Sequence, residues 1–257
     1  MKNVIINGTY ENLTINFNAN QIQSYMYGSK SEMPITESTK IKLEDNAKLV
    51  LGTNPKFILT VNIETGNIKV ESFIGYGITI ETKYGNISLH NIITKKLSVK
   101  SGYGDISFDN STIEEFDITT KSGEIEAKNI HALNGTIESK VGDITLNNTL
   151  ATEKLEMLTK SSDIYGKNIT AQNLNIATNK GDISLKNITS DAINLNTEDG
   201  DIDITINDKR TNYLSTIISE YGNVEIAPSY STTTTPLPPK TIQATSEYGD
   251  ITVKYLK

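Results

Sequence analysis

The stretch Ser101-Gly102-Tyr103-Gly104-Asp105-Ile106-Ser107-Phe108 decides the fold, because its second half keeps returning along the chain. The phrase Gly-[Asp/Asn/Glu]-Ile-x-apolar begins at Gly66, Gly85, Gly104, Gly123 and Gly142. It recurs at Ser162 with serine replacing glycine, then at Gly181, Gly200, Gly222 and Gly249. The intervals are 19, 19, 19, 19, 20, 19, 19, 22 and 27 residues. A period in this range marks a repeat architecture, in which one unit cannot bury its apolar face alone but stacked units can. A degenerate earlier copy is placed at Ala47, with Leu49 and Leu51 in its apolar slots.

Aligning the copies turns them into columns. Two residues after the glycine stand Ile68, Ile87, Ile106, Ile125, Ile144, Ile164, Ile183, Ile202, Val224 and Ile251. Four after it the column includes Val70, Leu89, Phe108, Leu146, Leu185 and Val253, and five before it Val61, Ile80, Val99, Ile118 and Ile176. The residues between these columns are polar, and such alternation gives strands with one face inward and the other in water. Nineteen residues are too few for a helical crossover, and no stretch carries apolar spacing of three and four over helical length. The expected fold is all-β: a single-domain right-handed parallel β-helix of about ten coils, about 45–50 Å long at the inter-strand spacing.

Two polar columns fit the same geometry. Three before the glycine lie Thr82, Ser101, Thr120, Ser139, Thr159, Thr178, Thr197, Ser219 and Ser246, in phase with the inward positions. Their hydroxyls are expected to bond to equivalents in adjacent coils or to the turn backbone. Six after the glycine lie Asn91, Asn110, Asn129, Asn148, Asn168 and Asn187. Asparagine tolerates the left-handed conformation of a sharp corner, and its amide can form a ladder along a stack. The asparagine ladder is expected to be buried.

The ends differ from the middle. Residues 1–46, with strand-like runs at Leu13–Phe17 and Ile22–Tyr27, are read as an irregular N-terminal cap to repeats over 47–257. Loops are let out near 207–212 and 228–240. The last strand, through Ile251 and Val253, is expected at an open sheet edge that the proline-bearing 228–240 loop covers.

Composition narrows function. The net charge is −7, with 24 basic and 31 acidic residues, and Arg210 is the only arginine. That balance excludes a phosphate-neutralising nucleic-acid binder and disfavours anionic membrane surfaces. The absence of cysteine excludes disulfides, thiolate metal sites and cysteine nucleophiles. Neither a signal-peptide core nor a membrane-spanning run is present. The chain reads as cytoplasmic, or as envelope-associated if a leader or anchor has been removed.

The residues offer several places to look for chemistry. Asp105, Glu124, Asp143, Asp163, Asp182 and Asp201 share one turn column, but a catalytic pair should be a local exception to the period, and this column is the period. The denser group Glu198, Asp199, Asp201 and Asp203, near Asp208, is the kind of oxygen cluster that hard cations favour, with three of them able to converge. His90 and His131 are expected on one side, two coils distant and one position out of register, without a third ligand for zinc. Tyr84, Tyr103, Tyr221 and Tyr248 stand one before the glycine, with Tyr76 nearby, as a partial aromatic stripe able to stack on sugars or anchor a partner. No catalytic, cofactor-binding or metal-ligating residue is assigned.

The repeated phrase, with copies such as Ser101 to Phe108 and Thr178-Asn179-Lys180-Gly181-Asp182-Ile183-Ser184-Leu185-Lys186-Asn187, resembles a bacterial family of adhesin-like β-strand-repeat domains of unknown function, over roughly residues 47–257. The resemblance implies a parallel β-helix, common in cell-envelope or membrane-anchored proteins and in some members linked to envelope stress. It carries no catalytic residues. The leading expectation is a non-enzymatic scaffold with a protein or glycan partner, existing as a monomer or small oligomer. The alternatives are a self-assembling element like bactofilins and a carbohydrate-active β-helix enzyme.

Overall fold

The computed structural model describes residues 2–10, 12–18, 38–42, 48–52, 57–228 and 240–257. The fold is a parallel β-solenoid with 19-residue spacing. The one helical turn among the described residues is a 3-10 element, Arg210–Asn212. No helix there is long and apolar enough to cross a membrane. The chain forms two compact units, Met1–Ala132 and Leu133–Lys257, each taken in turn.

The first unit contains β1 (Lys2–Tyr10), β2 (Leu13–Asn18), β3 (Ser38–Lys42), β4 (Lys48–Gly52), β5 (Phe57–Thr65), β6 (Ile68–Glu71), β7 (Gly77–Tyr84), β8 (Ile87–His90), β9 (Ile93–Tyr103) and β10 (Ile106–Ser122). Strand β11 (Ile125–Val141) begins in it. All pairings are parallel, and the columns hold: Ile68 pairs with Ile87, and Ile87 with Ile106. Ile87, Ile106 and Ile125 are buried to within 1% of full burial.

The expected irregular cap over 1–46 is corrected where its residues are described. Strand β1 pairs with β5, Val4 beside Leu59 and Ile6 beside Val61, while Leu13 of β2 lies beside Ile68 and Ile15 beside Val70. Strands β1 and β2 therefore form a coil in register with β5 and β6. Their other edge is taken by β3 and β4, so β1 lies between β3 and β5, and β2 between β4 and β6. Leu49 pairs with Ile15, which places it two positions later in the repeat than a copy starting at Ala47 would. The run Ile22–Tyr27 lies outside the described residues.

The second unit continues with β12 (Ile144–Thr159), β13 (Ile164–Ala177), β14 (Ile183–Asn196), β15 (Ile202–Ile206), β16 (Tyr213–Ser219), β17 (Val224–Ala227), β18 (Lys240–Ser246) and β19 (Ile251–Tyr255). Here too Ile144, Ile164, Ile183 and Ile202 pair in succession. The extra residue before Ser162 appears as a bulge between Ala151 and Lys154. The stacking order then departs from chain order. Strands β18 and β19 pair with β14 and β15 on one side and with β16 and β17 on the other. The last strand of the chain is thus internal, which corrects the expectation that it is the open edge. The loop proposed to cover it, at 229–239, lies outside the described residues.

The corners explain the motif. Gly85 has φ +147°, and a Cβ there would fall on the Gly66 carbonyl of the preceding coil. Only glycine meets both demands. Several inward hydroxyls bond to those same turn-glycine carbonyls: Ser101 Oγ donates to Gly85 O at 3.2 Å, Thr120 Oγ1 to Gly104 O at 3.2 Å and Thr197 Oγ1 to Gly181 O at 3.2 Å. Of the two expected partners, the turn backbone is the one used. All six corner asparagines have φ between 50° and 59°, and Ser72 shares their column at 59°. Their amides do form a ladder, with Asn129 Nδ2 donating to Asn110 Oδ1 at 2.9 Å and Asn187 Nδ2 to Asn168 Oδ1 at 2.7 Å. The ladder lies at the surface rather than in the core, because the left-handed corner turns these side chains outward.

A third inward-facing side follows each asparagine. Phe73, Ile92, Ser111 and Ile130 are buried in the first unit, and Ile169 and Ile188 in the second. Ser111 fits because its Oγ donates to Asp109 O at 2.8 Å and accepts from Ile92 N at 3.2 Å.

Candidate functional site

The carboxylate column is built into the fold. Asp105 Oδ1 accepts the Glu124 amide at 2.9 Å, Asp163 Oδ1 the Asp182 amide at 2.8 Å and Asp182 Oδ1 the Asp201 amide at 2.8 Å. Asn67 and Asn86 do the same in the first unit. Each oxygen closes a corner of the next coil, where the ladder of strand hydrogen bonds is interrupted. Asn12 takes the same role toward the Asn67 amide at 2.9 Å, so the corner bond of the motif is already made there.

The acidic group near residue 200 is dispersed by the same geometry. Asp201 Oδ1 accepts the Asp250 amide at 2.7 Å. Asp208 is drawn to the Lys240 ammonium at 3.0 Å and to Asn212 Nδ2 at 2.7 Å. Burial alone would push the Asp208 carboxyl up, but the Lys209 amide, Lys240 and Asn212 outweigh it and hold it below its ordinary value. No group of three or more His, Cys, Asp or Glu side chains placed to hold a metal occurs among the described residues. Arg210 donates to Pro228 O at 2.5 Å, so the sole arginine fastens a loop.

The histidines do not share a face. His90 ends β8 just before the Asn91 corner, whereas His131 lies beyond the Asn129 corner, three register positions on rather than one. His90 Nδ1 instead meets Asp109 Oδ1 of the next coil at 2.5 Å, a pairing that sequence reasoning missed. It could have been found, since Asp109 stands nineteen residues after His90 in the same column. Ser88, Ser107, Glu126 and Lys128 line the same groove, of about 430 Å³. Among the described residues neither serine hydroxyl is hydrogen-bonded to His90. Backbone amides there are engaged in the stack, as with Ser72 N to His90 O at 2.8 Å and Asn91 N to Asp109 O at 3.2 Å. His90 is held by Asp109 and neither neighbouring serine is bonded to it, so the groove does not assemble a Ser-His pair.

The tyrosine stripe resolves into two exposed stacked pairs. In the first unit Tyr84 and Tyr103 lie 5.3 Å apart at 13°, and in the second Tyr221 and Tyr248 lie 5.1 Å apart at 11°. Lys83 Nζ sits 5.2 Å from the Tyr84 ring centre. Tyr76, half-buried, lines a separate groove of about 300 Å³. Beside the Tyr84–Tyr103 pair, the outward face of β1, β5, β7, β9 and β10 forms a groove of about 530 Å³ with Glu64, Glu81, Lys83, Lys100 and Lys121 along it. Gly102 lies in its floor, in the column that elsewhere holds Glu64, Lys83 and Lys121; a Cβ at Gly102 would run into the Lys83 carbonyl. Tyrosine edges, lysines and carboxylates around an open trough can hydrogen-bond and stack on a partner.

A family model described as Toastrack DUF4097 matches residues 3–165 and again 136–257. No curated protein and no solved structure matches the chain. The first match begins within β1, consistent with β1 and β2 forming a coil of the repeat. The chain therefore belongs to the Toastrack DUF4097 family, a domain family of unknown function.

Proposed function

We propose that this Toastrack chain is a non-enzymatic scaffold that offers the outward groove of its first unit, beside Tyr84 and Tyr103, to a protein or glycan partner at the cell envelope. The observation that carries this reading is the fate of the corner carboxylates. Asp105, Asp163 and Asp182 each spend an oxygen on a backbone amide of the next coil, so the acidic column supplies structure and leaves little for chemistry. What the period does not consume is the stacked, exposed tyrosine pair and the charged trough beside it. The envelope setting comes from the adhesin-like repeats that the motif resembles.

The test is a titration of the fluorescently labelled chain against intact bacterial cells and purified envelope polysaccharides. Saturable binding is expected, weakened at least about tenfold by Tyr103→Ala combined with Lys100→Glu. Absence of binding overturns the proposal. Release of reducing ends or unsaturated sugars, abolished by Asp109→Asn, would replace it with the carbohydrate-active reading.

A further inference from the structure

Among the described residues the stacking order of the second unit leaves β16 outermost, and this strand carries features that interior strands lack. On one side it pairs with β18, from Tyr213 beside Lys240 to Ser219 beside Ser246. Among the described residues no strand pairs with its other side. In interior coils the residue three before the turn glycine sends its amide to the following coil: Thr178 N to Asn196 O and Thr197 N to Thr245 O, both at 3.0 Å. Ser219 is the equivalent residue in β16. By the alternation of a strand, Ser219, Ile217 and Ser215 therefore aim their backbone donors and acceptors away from the stack.

The outward side chains change at the same coil. One outward column runs Ala192, Thr241, Leu214 and another Asn196, Thr245, Ile218. Only at the terminal coil do both become large and apolar, and Leu214 and Ile218 are 62% and 55% exposed. Strand β16 (Tyr-Leu-Ser-Thr-Ile-Ile-Ser) has no charge and no proline, the usual devices that keep an edge strand from pairing. In a chain of net charge −7, this is a neutral segment on an otherwise self-repelling surface.

We propose that β16 is a homodimer interface: two copies pair antiparallel about a two-fold axis through Thr216. The strand is self-complementary about that residue. Leu214 falls opposite Ile218 of the partner subunit, and Ile218 opposite Leu214 of the partner subunit, on the wet face. Ser215 falls opposite Ile217 of the partner subunit, and these are the residues whose backbone groups point outward, so each such pair exchanges two hydrogen bonds. Thr216 meets its own copy at a non-hydrogen-bonded position, where antiparallel side chains approach most closely. A two-fold contact closes on itself, so the product is a dimer and not a filament.

The absence of cysteine makes the test direct. Thr216→Cys should oxidise to a covalent dimer at least about tenfold faster than Thr79→Cys, an exposed site on an interior strand. Sedimentation of the unmodified chain at up to about 100 μM should show monomer and dimer, with Ile218→Lys raising the dissociation constant at least about tenfold. Because Ile218 is exposed, that variant should keep the thermal midpoint of the monomer. A strictly monomeric chain with no cross-linking advantage at Thr216 overturns the proposal. So do assemblies longer than a dimer that Thr216→Cys fails to cross-link. Concentration-independent hydrogen-exchange protection of the Ser215, Ile217 and Ser219 amides would also overturn it, since a segment of the same chain would then cover the edge.

Discussion

An interior coil of the first unit and the terminal coil of the second obey the same column pattern but are held by different forces. In the coil around Gly104, Ile106, Phe108 and Ile118 are buried within 2% of completely, and the corner bonds of the Asp105 amide and the Thr120 hydroxyl repeat those made one coil earlier. In the coil around Gly222, the core columns hold Ile217, Val224 and Ile226, which are only half-covered or exposed. Its fastening is unique instead. Lys240 reaches Asp208 at 3.0 Å and Asp191 at 3.3 Å, and Tyr213 OH donates to Ser190 O at 2.6 Å. Tyr255 OH lies 3.2 Å from Ser215 Oγ. A periodic sequence specifies how a coil sits on its neighbour but contains no instruction to stop, so ends need chemistry outside the period.

The largest expected effect separates these regions directly. Ile106→Ala should cost about 2–5 kcal/mol, because a fully enclosed column leaves a cavity that the stacked coils cannot close. Ile217→Ala should cost less than about 1 kcal/mol, since solvent already reaches that position. Chemical denaturation of both variants checks this, and equal losses would show the terminal coil to be as enclosed as the interior. The hydroxyl column sharpens the contrast within the interior. Thr120→Val removes the bond to the Gly104 carbonyl and should cost about 1 kcal/mol. Thr159 belongs to the twenty-residue coil, and its buried Oγ1 has no partner. Thr159→Val should therefore be neutral or stabilising, by the same denaturation measurement.

That irregular coil also marks where sequence reading succeeds and where it stops. The inward columns were legible because an isoleucine every nineteen residues has no other economical explanation. The coil formed by β1 and β2 was not, because the Gly-[Asp/Asn/Glu]-Ile phrase is absent from that stretch of sequence; only Val4, Ile6, Asn12, Leu13 and Ile15 together reveal it. The third side was missed because Ser111 and Thr149 interrupt its apolar column, and their hydroxyls are satisfied by local backbone that a sequence does not display. The exchanged stacking order was invisible for a deeper reason. Periodicity tells which positions share a column, and every coil offers the same columns, so chain order alone does not reveal which coil is neighbour to which. The site is legible to a lesser degree. The tyrosines were named, but that they stack in pairs, and that His90 meets Asp109, needed the register.

The corner asparagines test whether the ladder or the backbone matters more. With the amides at the surface, a lost Asn–Asn bond is largely replaced by water, whereas φ of 56° at Asn129 disfavours any other residue with a Cβ. Asn129→Ala should cost about 1 kcal/mol and Asn129→Gly distinctly less. Equal losses in thermal or denaturant unfolding would return the weight to the ladder.

The smallest effect concerns the terminal coil alone and is read as a pH profile. Asp208 has its folded pKa held below the ordinary carboxylate value, so its contribution is present above the unfolded pKa and disappears as pH falls through the folded one. Lys240 runs the opposite way. Burial works against its charge, but Asp208 and Asp191 outweigh that and raise its pKa, so its contribution is present below the ordinary lysine value and is lost as pH rises through the raised one. The pair therefore steadies the coil across the neutral range and releases it at both extremes. The Asp208 and Lys240 side chains are 18% and 29% exposed, so the cost of desolvating both offsets much of their attraction and keeps the gain to about 1 kcal/mol. Hydrogen exchange should show β16 and β17 opening as pH falls below the ordinary aspartate range, while β7 and β9 remain protected. Asp208→Asn should flatten the acid limb for β16 and β17 and leave β7 and β9 unmoved. An acid limb that survives the substitution would mean that the terminal coil is held mainly by its strand pairing to β18 and β19, in the same way as the interior.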